Sequence, residues 1–253
     1  MSVHLDAQVH EEVFAAFLTQ GFVLESLSGL GFPGSNITTI SNISSCNPAS
    51  LYDFKNLSLG LSNQFDSELY PAWFAGIGHK RVNNYLPQSA GLVFPINTFR
   101  FGFGFSQRYN SILDFGKIPI MTLEHPEGTG ETFSVCDTTT IKVYSVLVTY
   151  SLQNVLFRND NIHLGLQCNL NRFDLIKRIW HTQLVAKDFS GGWSAGIRYD
   201  FRHAILPDAQ IGIYFEKGAE FRETGKIQGE DSVSFIDINN QENNQTIVSL
   251  SLI

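Results

Sequence analysis

Hydrophobic and polar residues alternate along most of the chain beyond residue 56. The clearest case is the run 99–108, in which Phe99, Phe101, Phe103 and Phe105 alternate with small, polar or cationic residues. A period of two places successive side chains on opposite faces of a β-strand. The pattern therefore predicts strands that have one large apolar face and one face of small and polar side chains.

The same alternation recurs in other segments. Pro87 and Pro95 bracket one of them, and because proline cannot donate to a β-ladder we expect a kink in that strand. Leu147 is an exception to the alternation, since it lies on the polar face of its segment. No helical periodicity is convincing, so no βαβ unit is predicted. Strands are predicted over 57–65, 72–79, 89–96, 99–108, 144–152, 162–171, 193–201, 209–215 and 246–253.

Turn-rich or irregular stretches separate these strands. Residues 113–138, rich in proline and glycine, and the polar residues 225–245 are predicted to be long loops, the first with a short strand at 132–136. Residues 172–189 lack a regular period, and only 184–186 is predicted to be a strand edge. Short turns alternating with long loops are typical of an up-and-down meander closed into a barrel.

The segment 21–51 has the pattern of neither a helix nor a strand. Glycines and Pro33 interrupt it, while apolar residues recur throughout. Such a long irregular segment needs surroundings that satisfy its backbone groups. We interpret it as a plug held inside the rest of the protein, the alternative being an ordinary packed N-terminal arm. Residues 1–20 precede it as a lead segment without the features of a secretory signal.

Composition narrows the possible partners and cofactors. Charged residues make up 16% of the 253 residues, and the net charge is −7 without a basic stripe, which argues against a nucleic-acid partner. Cys46, Cys136 and Cys168 are widely spaced, so neither a zinc site nor a disulfide framework is predicted. No metal, phosphate or nucleotide motif is present, and no cofactor is expected.

The chain contains no run of about 20 apolar residues, but a membrane β-strand needs only about 10 residues in alternation. The polar face of the predicted strands carries Gly, Ser, His and Arg, where a soluble sheet would carry more Lys and Glu. We therefore predict an all-β fold, a transmembrane antiparallel β-barrel of residues 52–253 with its lumen plugged by an N-terminal hatch of residues 21–51. A soluble β protein is the alternative. Aromatic residues near strand ends would form interface girdles: Trp73, Tyr144, Tyr150, Trp193, Tyr199 and Phe201.

The order of residues in the hatch resembles the long-chain fatty-acid outer-membrane transporter family (FadL/TodX type). That family begins with a Gly-Phe and Gly-Leu-Gly-containing segment, followed by Asn-Pro-Ala and a hydrophobic residue, and then by the first strand. In this chain the corresponding residues are Gly21, Phe22, Leu24, Glu25, Ser26, Gly29, Leu30, Gly31, Gly34, Asn47, Pro48, Ala49 and Leu51.

The resemblance implies a monomeric barrel in the outer membrane of a Gram-negative-type bacterium. Its third strand would be kinked, which matches residues 89–96 between two prolines. The chain departs from the family in being shorter, in showing fewer strands and in ending on Ile253 in place of an aromatic residue. These departures imply a truncated member whose barrel is incomplete.

The function implied by the resemblance is passive uptake of hydrophobic small molecules, such as long-chain fatty acids, across a lipid bilayer. Asn47, Pro48 and Ala49 would anchor the hatch to the barrel wall. Inward cationic side chains could meet a carboxylate, although a salt-bridged lumen lining is the alternative for them. The expected ligand-binding residues are Phe22, Leu24, Leu27, Leu30, Phe32, Arg100, His163 and Arg198, with Gln167 close by.

Two other functions compete with uptake. A structural or partner-binding barrel, accessory to a secretion or surface complex, needs no ligand path and would use the predicted long loops as its contact surface. An outer-membrane hydrolase would need a paired nucleophile and base; Ser145, Ser151, His163 and His181 are present, but no G-x-S-x-G motif or acid/base spacing accompanies them. We therefore expect no enzyme.

Overall fold

The structure, a computed structural model, is an antiparallel β-sheet preceded by a short 3-10 helix, Pro48–Asp53. It describes residues 40, 43–71, 79–120, 124, 129–155, 160–180, 182–201, 209–228, 233–241 and 245–252. Within these ranges, no helix is long and apolar enough to cross a membrane. The strands are β1 (Ser58–Pro71), β2 (His79–Ile96), β3 (Phe99–Pro119), β4 (Thr132–Gln153), β5 (Asn161–Trp180), β6 (Thr182–Phe201), β7 (Ala209–Lys217), β8 (Glu220–Gln228), β9 (Val233–Gln241) and β10 (Gln245–Leu252).

Strands β1 to β7 follow one another in sequence order as an antiparallel meander. β6 pairs with β7 along its second half and with β8 near its start, so β7 and β8 form one row interrupted at Gly218 and Ala219. β10 pairs with β7, and β9 pairs with β8, so β9 and β10 together form the next row of the sheet. In the described part of the chain, β1 and the β9–β10 row are the two edges. The all-β, antiparallel prediction is confirmed, and closure into a barrel stays a prediction.

The two faces of the sheet have the reverse of the usual polarity. On the inner face, polar side chains are buried; Ser145, Gln167 and Ser194 are at most 3% exposed. On the outer face, large apolar side chains are exposed. We call this exposed surface the apolar band: residues 99–105 of β3, 144–152 of β4, 162–170 of β5, 189–201 of β6 and 209–215 of β7.

Beyond the apolar band, the same strands exchange the polarity of their faces. In β5 the outward residues change from Leu170 to Arg172 and Asp174, while the inward residues become Phe173 and Leu175. Here the sheet has an ordinary apolar core beneath a polar exterior. The core consists of Ile141, Phe173, Leu175, Ala186, Ala219 and Phe221, with Tyr109 and Leu184 packed against it.

This exchange explains why two sequence predictions were wrong. Residues 172–189 were expected to be irregular, but all except 181 are described as strand, in β5 and β6. Residues 113–138 were expected to be a loop with only a short strand at 132–136, yet 113–119 and 132–138 pair across β3 and β4. The predicted loop 225–245 was also wrong, because it contains the end of β8, all of β9 and the start of β10. Where the apolar residues change face, the alternation breaks although the strand continues.

Other predictions differ in detail. The segment 89–96 belongs to the second strand of the described sheet, not a third, and a register shift between β1 and β2 lies beside Pro87. Leu147 broke the alternation because it packs inward against Ile43 and Leu51. Residues 72–78, the lead segment 1–20 and the hatch residues 21–39 lie outside the described residues.

Candidate functional site

Residues 43–54, called here the inner segment, lie against the inner face of the sheet. Glycines on the strands make this approach possible. A Cβ atom at Gly165 would lie 2.2 Å from the Ala49 nitrogen, and one at Gly196 would lie 1.9 Å from Asn47 Oδ1. These positions require glycine because a side chain would occupy the space of the inner segment.

Hydrogen bonds from the wall reach the backbone of the inner segment. Thr149 Oγ1 donates to the Pro48 carbonyl at 2.5 Å, and Gln167 Nε2 donates to the Ser44 carbonyl at 2.7 Å. Asn47 caps the 3-10 helix, because its Oδ1 accepts from the Ala49 N–H at 3.0 Å. These bonds satisfy buried groups that would otherwise lose their solvation.

An apolar contact also holds the inner segment against the same wall. Ile43 and Leu51 are buried against Val93 and Leu147 of the wall, with Phe54 packed at the margin. The inner segment is therefore held both by hydrogen bonds and by a small apolar cluster.

An ion-pair cluster holds the end of the inner segment. Arg198, which is 1% exposed, donates to both carboxylate oxygens of Asp53 at 2.7 and 2.5 Å. Its Nε donates to Asp200 at 2.8 Å, and its Nη2 donates to the same carboxylate at 3.0 Å. A guanidinium fork matched to a carboxylate in this bidentate way makes a directional bond. The Asp53 side chain is 44% exposed, so one partner of the bond remains open to solvent.

An aromatic ring lies between two basic side chains in the same cluster. The ring of Tyr52 stacks on His163 at 4.4 Å between centroids, and Arg100 Cζ lies 4.5 Å from its centroid on a cation–π contact. His163 Nε2 is 3.0 Å from Asp200, and Arg100 Nε donates to the Phe54 carbonyl at 3.0 Å. Tyr52, Asp53 and Phe54 are thus all bound by the wall.

A second polar network lies further along the inner face. Gln167 Nε2 and Ser145 Oγ both donate to Asn169 Oδ1 at 2.7 Å. Beyond it, the Tyr214 hydroxyl donates to Glu216 at 2.7 Å, and Glu216 pairs with Arg108. The inner face is therefore an extended hydrogen-bonded surface with paired charges.

The structure brings together three of the expected ligand-binding residues. Arg100, His163 and Arg198 share one cluster, in which each contacts a residue of the inner segment. The expected anchors Asn47, Pro48 and Ala49 lie at the glycines of the wall. The remaining expected residues, Phe22, Leu24, Leu27, Leu30 and Phe32, lie outside the described part of the chain.

Sequence reasoning missed Tyr52, Asp53 and Asp200. Asp200 could have been found, because it follows Arg198 on the polar face of the same strand. Tyr52 and Asp53 carried no such signal, because they lie in the irregular stretch just beyond the predicted end of the hatch.

The cluster holds the end of the inner segment against the wall. Ser151 is the cross-strand partner of His163, but neither Ser151 Oγ nor His163 Nδ1 has a hydrogen-bond partner, so the two do not form a nucleophile–base pair. Among the described residues, no group of His, Cys, Asp and Glu could hold a metal ion.

Comparison with known proteins adds no identification. The chain matches no protein-family profile and no curated protein sequence.

Proposed function

We propose that this protein is an outer-membrane β-barrel that admits hydrophobic small molecules, such as long-chain fatty acids, by passive diffusion, with the N-terminal hatch plugging its lumen. The observation that carries the proposal is the reversed polarity of the sheet. Leu166, Phe103 and Ile197 are about half exposed or more, while Arg198 and His163 are buried on the opposite face.

The energetics of the two faces favour lipid over water as the outer solvent. Apolar surface left in water costs about 25 cal/mol per Å², and soluble monomers rarely expose large contiguous apolar patches. A bilayer removes this cost. It also requires that every backbone group exposed to lipid be paired within the protein, which a closed antiparallel barrel achieves.

The position of the inner segment determines how a ligand could cross the proposed barrel. It covers the inner face at Gly91, Gly104, Gly165 and Gly196, so a ligand would pass beside it or displace it. The bidentate Asp53–Arg198 bond is the strongest described restraint at its end, and the solvent-exposed Asp53 carboxylate is the side from which this bond would open.

The same restraints favour a second candidate, a structural barrel that binds a protein partner and conducts nothing. The inner segment is held at three points, by Thr149, Gln167 and Arg198. This is expected if the segment blocks the lumen permanently. In that case, loosening the segment would have no consequence for transport.

Uptake of a labelled long-chain fatty acid by cells that produce the full-length protein distinguishes the two candidates. We expect uptake above that of vector-only cells, and a further increase in Asp53→Asn, because an amide cannot hold Arg198 as a carboxylate does. Glu131→Gln, at an exposed residue remote from the cluster, is the matched control and should equal wild type. Uptake at the vector level for all three proteins would reject the transport proposal and favour the structural barrel.

A further inference from the structure

The apolar band ends on one side in a row of cations. On each of the three neighbouring strands β4 to β6, the first charged side chain on the outer face beyond the band is a lysine or an arginine. All three are exposed or half-buried. We call them the cationic row: Lys142, Arg172 and Lys187.

The cationic row carries more charge than its neighbours neutralise. Lys142 and Arg172 lie directly opposite each other across β4 and β5, an arrangement that is unfavourable for like charges. Asp174 pairs with Arg172 at 2.8 Å and lies across from Lys187. Among the described residues, three cations against this one carboxylate leave two positive charges. The nearby Glu220 is no further neutraliser, because it pairs with Arg222 at 3.4 Å.

Aromatic side chains border the row on the side of the band. Arg172 Cζ lies 5.7 Å from the ring centroid of Phe189, its cross-strand partner. Tyr144 is the band residue next to Lys142 on the outer face of β4 and is 42% exposed. Aromatic rings beside Lys and Arg are the usual composition of a protein surface at the headgroup level of a membrane.

The opposite ends of the strands differ. The described turn between β2 and β3 contains Asn97 and Thr98, and Asn154 follows the last residue of β4, Gln153. These residues are uncharged. At these two described strand ends, the border opposite the cationic row therefore carries no cation.

We propose that the cationic row binds anionic phosphate groups of lipid headgroups in the leaflet at that border. The inference rests on the proposed membrane embedding. A phosphate between Lys142 and Arg172 would relieve the repulsion of these two side chains, and the guanidinium of Arg172 matches phosphate oxygens in geometry. Basic residues near a membrane surface attract anionic lipids by about 1 kcal/mol each.

Trp193 provides a reporter, because it lies in the apolar band on the outer face of β6, the strand that also carries Lys187 and Phe189. The full-length protein carrying Trp73→Phe and Trp180→Phe is reconstituted in phosphatidylcholine vesicles with a minor fraction of phosphatidylglycerol. Bromine is placed in the acyl chains of one lipid or the other, and quenching of Trp193 fluorescence is compared at equal brominated fraction. We expect phosphatidylglycerol to be enriched about fivefold around Trp193, which corresponds to about 1 kcal/mol.

A charge-matched pair of variants locates the effect. The variant K142Q/R172Q/K187Q should lose the preference for phosphatidylglycerol. The control K117Q/R178Q/K226Q removes as many cations from exposed positions farther along the strands and should keep it. Increasing salt should lower the preference in the protein with an intact row, which gives a second readout that needs no row variant.

The outcomes separate this inference from the proposed function. Equal quenching by both brominated lipids at low salt would overturn it while leaving the membrane embedding intact, because the cations would then only extend into water. Loss of the preference in the control variant as well would also overturn it, since net charge would then explain the effect. Absence of quenching by either lipid would contradict the embedding itself.

Discussion

At Gly165 the backbone of the inner segment comes so close that no side chain fits. The carbonyl carbon of Pro48 and the nitrogen of Ala49 would lie within 2.3 Å of an added Cβ, and both are backbone atoms that cannot rotate away. The seating of the inner segment therefore depends on the absence of a side chain at this position.

Gly165→Ala should displace residues 47–49 from the wall, at a cost of about 1–3 kcal/mol in the free energy of unfolding. Hydrogen exchange of amides 43–54 measures the effect and should accelerate. Gly191→Ala is the matched control, because a Cβ there has nothing within 4 Å. Unchanged amide exchange in Gly165→Ala would show that the position of the inner segment does not depend on a glycine at residue 165.

Asp137 is a buried carboxyl group outside the apolar band. Burial raises its pKa from the ordinary value of 3.8, and Lys177, with Nζ at 3.9 Å, only partly opposes the shift. Because the folded state binds the proton more tightly than the unfolded state, the stability contributed by this group is present below the unfolded pKa and is lost as pH rises through the folded pKa.

Asp137→Asn should therefore raise the free energy of unfolding at neutral pH and flatten its decline above pH 3.8. Denaturant unfolding as a function of pH measures this. Asp114→Asn, at an exposed residue of the neighbouring strand β3, serves as the control and should leave the pH dependence intact. A less stable Asp137→Asn protein at neutral pH would mean that the ionised carboxylate is compensated by Lys177.

At the scale of the strand, each long strand crosses two environments. Within the apolar band the alternation of β5 is regular, and its inward and outward residues could be assigned from sequence. Past Leu170 the apolar residues move to the inner face, so a fixed rule of apolar outside and polar inside fails there although the backbone continues as strand. The inward direction of Arg100, His163 and Arg198 could be predicted because these residues lie where the rule holds. Their partners in the inner segment depend on long-range packing, which no local pattern encodes.

Leu166→Arg tests which solvent the apolar band contacts. Leu166 is 60% exposed in the middle of the outward run of β5. If lipid covers it, the substitution should cost about 2–4 kcal/mol in the free energy of unfolding from vesicles. In water, an exposed position would tolerate arginine within about 0.5 kcal/mol.

Thr182→Arg provides the comparison, because Thr182 is exposed at the start of β6, beyond the band. It should have little effect in either solvent. Equal, small changes in the free energy of unfolding for both substitutions would contradict the proposal that lipid covers the apolar band.

At the scale of the molecule, the described meander has two edges, β1 and the β9–β10 row. In a bilayer their backbone groups need partners, so the full-length protein is expected to form a closed barrel. Such a barrel resists detergent until it is heated. Protein from the membrane fraction should therefore migrate faster in detergent gels before boiling than after it. Identical migration would contradict closure, and a heat-treated sample refolded without lipid controls for incidental compaction.

The reversed faces also constrain the route by which this chain can be made. In an aqueous compartment, the hydrophobic effect would bury Phe103, Leu166 and Ile197 of a newly synthesised chain and leave Gln167 and Arg198 in water. This is the reverse of the arrangement in the sheet. Such a collapsed species would have to be undone before the strands could pair correctly. If the apolar band faces lipid, as proposed, we expect biogenesis to need a factor that shields these side chains until they meet acyl chains. The medium into which that factor releases them then decides which side of the sheet becomes the interior.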